Sequence, residues 1–306
     1  MALFRKLVLH ATPAQVWDAV ATGPGWTSWY HPSELEPSRG GIARTDFGGG
    51  TFVEGEVRVY EPGKRIVLST LRVAHDIGAE PEEDEATMEF WLAEPEDDLH
   101  AVPIEPGGSL SVLRSRLGEP QPMARGVGET LGTRRSRGKQ TILYFRQRGF
   151  PEVDQAVYEA GWDVYFHTLS EYLIHFAGKP PLTHSSIAAP AIEKQQQFAR
   201  LTGALGIDRD VKVGDEIETQ PKGRDDTIKG IVDLKMSDPN LEAVGVRLPD
   251  GFMRAMSDET CGSALLFYQY VVDPPPDFAA VRESLIAKTK ETAASWQGWL
   301  QEQMAA

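Results

Sequence analysis

The segment LFRKLVLH at 3–10 alternates apolar and polar residues, the two-residue period of a half-buried strand. Thr12 and Pro13 follow, a capping hydroxyl and a first-turn proline. They predict a helix over AQVWDAVA with Val16, Trp17 and Val20 on one face. Gly23-Pro24-Gly25 ends it. GIARTDF, TFVEGEVRVYEP, KRIVLSTLRV, ATMEFWLAE and TILYFRQRGF then read as strands, with turns at Gly48-Gly49-Gly50 and Pro62-Gly63. An antiparallel meander is expected. The period changes after Val153. Trp162, Phe166, Leu169, Leu173 and Phe176 recur at offsets of 0, 4, 7, 11 and 14, one stripe of a long helix that stops at Gly178 and Pro180-Pro181. Residues 1–178 thus describe an α+β domain whose curved antiparallel sheet wraps its C-terminal helix.

The rest of the chain repeats this order. KPPLTHSSIAAPA (179–191) has the composition of a linker. IEKQQQFARLTGAL reads as a helix, and VKVGDEIET, TIKGIVDLKM, LEAVGVRLP, GFMRAMS and SALLFYQYVV as strands. A closing helix carries Phe278, Val281, Leu285, Thr289, Thr292, Trp296 and Trp299 on one stripe. A second, divergent domain over 192–306 is expected. GEVRVYEPGKRIVLST (55–70) and GIVDLKMSDPNLEAVG (230–245) share a Gly-x-Val opening, a mid-segment proline and a β-branched run, which points to an internal duplication. Residues 95–139 interrupt the first domain. They hold acidic residues, several Gly and Pro, a possible strand in GSLSVLRSRL (108–117) and the basic run RRSRGK at 134–139, and read as a long inserted loop.

Bulk composition narrows the classes of function. A chain of 306 residues exceeds the usual size of one core, which again favours two domains. Apolar residues make up 41% and aromatics 9%, as in globular proteins. A net charge of −14 gives no overall field that would draw in nucleic acid or an anionic membrane. The single cysteine, Cys261, excludes an internal disulfide and begins an apolar strand, where it is expected to be buried. The N-terminus has no apolar signal region, and no apolar run nears the roughly 20 residues of a spanning helix. A cytoplasmic, soluble protein is expected.

The strand LFRKLVLH with ATPAQVWDAVAT, then GWTSWYHP, GGGTFVEGEV, VYEPGKRIVL, RGF and the helix GWDVYFHTLSEYLIHF together resemble the helix-grip superfamily (START or Bet v 1-like, also called SRPBCC). Within it they are most similar to bacterial homologues of the C-terminal domain of the activator of heat-shock-protein-90 ATPase. The likeness covers 1–178 apart from 95–139, and extends faintly to 190–306, where the first strand and the tryptophan-rich loop look eroded. It implies a sheet gripping the long helix, with a pocket between them that takes a small apolar or amphipathic molecule. Some superfamily members are aromatases or cyclases, and the eukaryotic activators act by protein contact.

Candidate residues follow from both readings. Trp26, Trp29 and Tyr30 in TGPGWTSWYHP form either the rim of a pocket or a plug at one end of the core. Trp162, Phe166 and Leu169 on the helix face the sheet and double as pocket wall. Tyr165, Thr168 and Tyr172 on the adjacent face place hydroxyls toward a ligand. Trp91 and Tyr144 are read at inward strand positions and complete the lining. His31 is either an acid–base group or a partly exposed loop histidine bonded to backbone, whereas His167 and His175 read as solvent-facing. Glu54 and Glu56 share one strand face, either as a paired acid site or as a solvated edge. The seven histidines show no metal-ligand spacing, and Gly48-Gly49-Gly50 lacks a nucleotide-loop context, so neither metal nor cofactor is expected. The leading reading is binding of a small hydrophobic molecule without chemistry. The alternatives are a cyclase, dehydratase or hydrolase using His31, and a chaperone-ATPase-regulating or other protein-interaction module.

Overall fold

The computed structural model describes residues 3–69, 86–93, 140–149, 155–188, 194–258 and 262–305. Cys261 and the insertion at 95–139 lie outside these residues.

The first half runs β1 (Leu3–Leu9), α1 (Pro13–Ala21), α2 (Gly23–Thr27), β2 (Ser33–Leu35), β3 (Ile42–Gly48), β4 (Thr51–Glu61), β5 (Arg65–Ser69), β6 (Thr87–Leu92), β7 (Thr141–Arg148) and α3 (Gln155–His175). Its strands form an antiparallel sheet of order β1-β7-β6-β5-β4-β3-β2, so the N-terminal strand closes onto the last strand of the meander. Thr12 caps α1 as the sequence predicts. Its hydroxyl accepts from the Gln15 amide, and the Gln15 side chain returns to the Thr12 amide, a reciprocal capping box. The stripe of α3 lies on the concave face: Trp162, Phe166, Leu169, Leu173 and Phe176 are all buried. A helix held in a curved antiparallel sheet is the helix-grip arrangement, as expected.

The second half comprises β8 (His184–Ala188), α4 (Lys194–Leu205), β9 (Glu216–Thr219), β10 (Ile228–Ser237), β11 (Leu241–Leu248), β12 (Gly251–Asp258), β13 (Gly262–Gln269) and α5 (Phe278–Ala305). Its six-stranded sheet has the order β8-β13-β12-β11-β10-β9. Two expectations are corrected here. The stretch 179–191 is not wholly a linker, because HSSIA within it is β8, hydrogen-bonded along β13. The first strand of this half is therefore present rather than eroded.

The two sheets enclose α3. On one side Phe145 packs on Trp162 and Phe166, with ring centroids 4.5 and 5.1 Å away. On the other, Phe252 and Tyr270 of the second half meet Phe176 at 5.2 and 4.5 Å, and Tyr270 stacks on Tyr172 at 5.5 Å. One apolar cluster accordingly runs from Phe90 and Phe145 through α3 to Phe252, Leu266 and Tyr268. The reverse face of the second sheet packs on α4 and the C-terminal part of α5 through Val232, Met253, Leu265, Trp296, Trp299 and Leu300. β12, covered on both faces, is buried at every residue. The hairpin tip at Gly48 sits against β8, where φ is 89° and an added Cβ would lie 2.5 Å from the Ser185 carbonyl oxygen. Glycine is required there on both counts.

Candidate functional site

The tryptophan-rich segment closes one end of the first core. A helix leaves its last carbonyls without intrahelical partners, and here two indoles supply them. Trp26 Nε1 donates to Val20 O at 2.6 Å, and Trp29 Nε1 to Ala19 O at 2.8 Å. Both rings are buried and meet each other, Tyr30 and Phe90. Trp29 and Tyr30 also stack on α3, at Phe166 and Trp162 respectively. Of the two readings of GWTSWYHP, the plug describes Trp29 and Tyr30. Trp26 is plug and wall at once, because one side of it borders a cavity.

That cavity lies against β2, β3 and the start of β4, beside β5 and β6. Ser33, Leu35, Ala43, Thr45, Val53 and Gly55 share one sheet face by register, and with Trp26, Leu68 and Met88 they line it. Glu34, Arg44 and Ser69 complete the wall. The space into which the centre of a water-sized sphere fits is about 30 Å³, and the whole concavity, counted out to bulk solvent, about 370 Å³. Val53 points to this face yet is 38% exposed, so the concave surface is unfilled at the mouth. Deeper in, Trp29, Phe90, Phe145, Trp162 and Phe166 leave the space between sheet and helix packed with rings.

The other predicted lining residues fall elsewhere. Trp162, Phe166 and Leu169 are core. Trp91 and Tyr144 are corrected: they lie on the outer face of the first sheet, stacked at 5.3 Å and touching the half-exposed Phe4. The inward positions beside them are Phe90 and Phe145, buried completely. Tyr165, Thr168 and Tyr172 do lie on an adjacent face of α3, but their hydroxyls meet protein. Tyr165 OH is 2.7 Å from His31 Nε2, Thr168 Oγ1 accepts from Arg254 Nε at 2.9 Å, and Tyr172 OH accepts from the Gly178 amide.

His31 is neither partly exposed nor bonded through its ring to backbone. It is 2% exposed, and its Nδ1 lies 2.9 Å from Ser185 Oγ of β8 while Nε2 faces Tyr165. Burial pushes its pKa down to about 3, so the imidazole is neutral. Both nitrogens are occupied by protein groups and the ring does not line the cavity, which leaves it no proton to exchange with a ligand there. His167 is corrected from solvent-facing to half-buried, whereas His175 is exposed as expected. His167 Nε2 approaches Asp233 Oδ2 at 3.8 Å, and His175 lies 3.4 Å from Glu171 and against Arg247.

Sequence reasoning missed the polar centre of this interface. Arg254, fully buried on β12, grips Asp233 with both terminal nitrogens at 2.9 and 2.8 Å and reaches Thr168 with Nε. Burial would raise the Asp233 carboxyl, but the Arg254 guanidinium, with help from His167, holds it below its ordinary value. The signal was present in FMRAMS, an arginine centred in an apolar strand. Glu54 and Glu56 do not act together: Glu54 lies 3.4 Å from Arg44, and Glu56 pairs with the buried Arg58 at 2.9 Å. Among the described residues no group of His, Cys, Asp or Glu is arranged to hold a metal ion, and no helix is long and apolar enough to cross a membrane.

No protein-family model matches the chain, and no curated protein matches it. Among solved structures it is similar to CalU16 from Micromonospora echinospora, at 13% identity over 56% of this chain and 75% of that one, with a TM-score of 0.34. It is similar to the Aha1 dimer from Colwellia psychrerythraea at 14% identity over 58% and 99% of the two chains, TM-score 0.36. DynU16, a protein of the dynemicin biosynthetic locus, aligns over 99% of this chain and 97% of its own at 16% identity, TM-score 0.35. Likenesses at these identities and scores carry nothing about activity. The fold described above stands on strand order and helix placement in the chain itself.

Proposed function

We propose that the first half binds a small, mainly apolar molecule bearing one polar group, in the mouth between β2–β4 and β5–β6. The observation that carries this reading is the unfilled concave surface beside Trp26, where an inward-facing Val53 remains open to solvent. Ligand sites are concave, mostly apolar and supplied with a few polar groups. Here Trp26, Leu35, Ala43, Leu68 and Met88 supply the apolar wall, and the hydroxyls of Ser33 and Thr45, 3.2 Å apart, a polar spot. The space open to water-sized spheres corresponds to about two or three water molecules, so only the tip of a ligand enters while its body lies in the open concavity. Met88, unbranched and adaptable, is the side chain that yields to a larger group.

Isothermal titration with small aromatic alcohols, 2-phenylethanol first, tests the reading. Millimolar or tighter binding is expected, and Ala43→Trp, which fills the mouth, should abolish it without lowering the melting temperature. Absence of heat with every alcohol, or full binding by Ala43→Trp, would overturn it.

A further inference from the structure

Each sheet ends in two edge strands, and three of the four are short or filled. β2 has three residues and β9 four, and Gln297 occupies the free side of β8 at Ile187. β1 is different. It is seven residues long, and among the described residues its backbone bonds to no strand but β7. Of its backbone groups only the Phe4 carbonyl meets a side chain there, Arg5 Nη1 at 3.1 Å. The side chains that β1 turns outward are Phe4, Lys6 and Val8, all exposed, Phe4 and Val8 to 50% and 52%. Behind them Phe4 joins Trp91 and Tyr144 in a cluster of rings, and Lys6 Nζ lies 5.8 Å from the centre of the Tyr144 ring. Register sets Phe4, Arg146 and Glu89 in one row. The Glu89 carboxylate is shared by Arg65 at 2.6 Å and Arg146 at 2.7 Å, so it does not offset Lys6, which has no carboxylate partner among the described residues.

We propose that β1 accepts an extended segment of a partner polypeptide as an eighth strand of the first sheet. The segment carries a carboxylate across from Lys6 and apolar side chains two residues to either side, across from Phe4 and Val8. Backbone hydrogen bonds supply the affinity of such an added strand, and alternate side chains its selectivity. Residues two apart share a face, and directly opposed pairs stabilise a sheet when apolar or of unlike charge and oppose it when of like charge. The same rule excludes a second copy of this chain as the occupant. Antiparallel pairing of two β1 strands about their centre sets Lys6 against Lys6, and a lysine on an edge guards against that association.

The test uses two fluorescein-labelled heptapeptides, each with threonine at the odd positions and valine at the second and sixth. One has glutamate at the centre and the other lysine, and each reads the same in both directions. Titrated with the full chain and followed by fluorescence anisotropy, the glutamate peptide should bind roughly five-fold more tightly than the lysine peptide. Amide NMR shifts should run along Leu3–Leu9. In Lys6→Glu the order of the two peptides should invert. Equal binding of the two, an order unmoved by Lys6→Glu, shifts that spare β1, or no binding of either overturns the proposal. Sedimentation that shows the chain pairing with itself, with β1 protected and the peptides unable to compete, gives the edge to a second copy and overturns it as well.

Discussion

Helices α3 and α5 hold the same place in their halves, each following a meander whose last strand pairs with the first strand of that half. The halves even share an irregularity. A β-bulge interrupts the register between Val57 and Val59 in β4–β5, and another between Val232 and Leu234 in β10–β11, the two segments whose sequences match. Burial is where they part. The apolar stripe of α3 is buried to its end, because a sheet covers it on each side. In α5 only Trp296, Trp299, Leu300 and Met304 are buried, while Phe278, Val281 and Leu285 belong to neither core. The sheets differ too. The second spends both faces on helices, one on α3 and one on α4 and α5, whereas the first leaves Phe4 and Val8 half exposed outside and an open mouth inside. The two halves thus differ in use: the second clamps α3, and the first keeps a cavity.

A clamp with a polar centre is the part easiest to break. Arg254→Met leaves Asp233 buried without its guanidinium partner, and should cost about 3–5 kcal/mol in denaturant unfolding. Arg254→Met/Asp233→Leu should recover most of that loss, since an apolar pair of similar volume replaces a buried ion pair at little cost. A double variant as unstable as the single one would mean that the network does more than satisfy its own charges.

The pH response is an effect of comparable size. His31 and His184, both in contact with or part of β8, have pKa values pushed down to about 3 and about 4, chiefly by burial, and for His184 also by the Arg224 charge. The unfolded chain takes up these protons near pH 6.5, where the folded one does not. Stability is therefore complete above about pH 6.5 and declines as pH falls toward the folded values, by about 1.4 kcal/mol per unit for each histidine. Melting temperatures recorded between pH 7 and pH 4 should fall steadily, and less steeply in His31→Gln. Equal slopes would remove His31 from the account.

The smallest effect concerns the edge of the clamp. Strand β8 has a free side, and the Gln297 side chain fills it by accepting from the Ile187 amide at 3.0 Å and donating to the Ile187 carbonyl at 2.7 Å. Gln297→Ala should cost about 1 kcal/mol and speed hydrogen exchange at Ile187 above all. Unchanged exchange there would show that the edge is protected by other means.

Legibility in the sequence follows the range of the interactions. The first helix was readable from Thr12 and Pro13, and α3 from its stripe, because caps and periodicity act within a few residues. β8 was not, since HSSIA is short, polar and flanked by prolines, and its partner β13 lies some eighty residues away. Parity misplaced Trp91 and Tyr144 because β6 and β7 carry aromatics on both faces, with Phe90 beside Trp91 and Phe145 beside Tyr144. Alternation alone does not say which face is inside. At the candidate site only Trp26 was foreseen. Ser33, Leu35, Ala43, Thr45 and Val53 form no motif and meet only through strand register.

The division of labour between the halves is tested most directly by amide NMR during titration of the full chain with 2-phenylethanol. Shifts confined to Ser33–Thr45, Val53–Gly55, Leu68 and Met88, with β10–β13 silent, are the predicted result. Shifts concentrated along α5 or at the contact between α3 and the second sheet would contradict it.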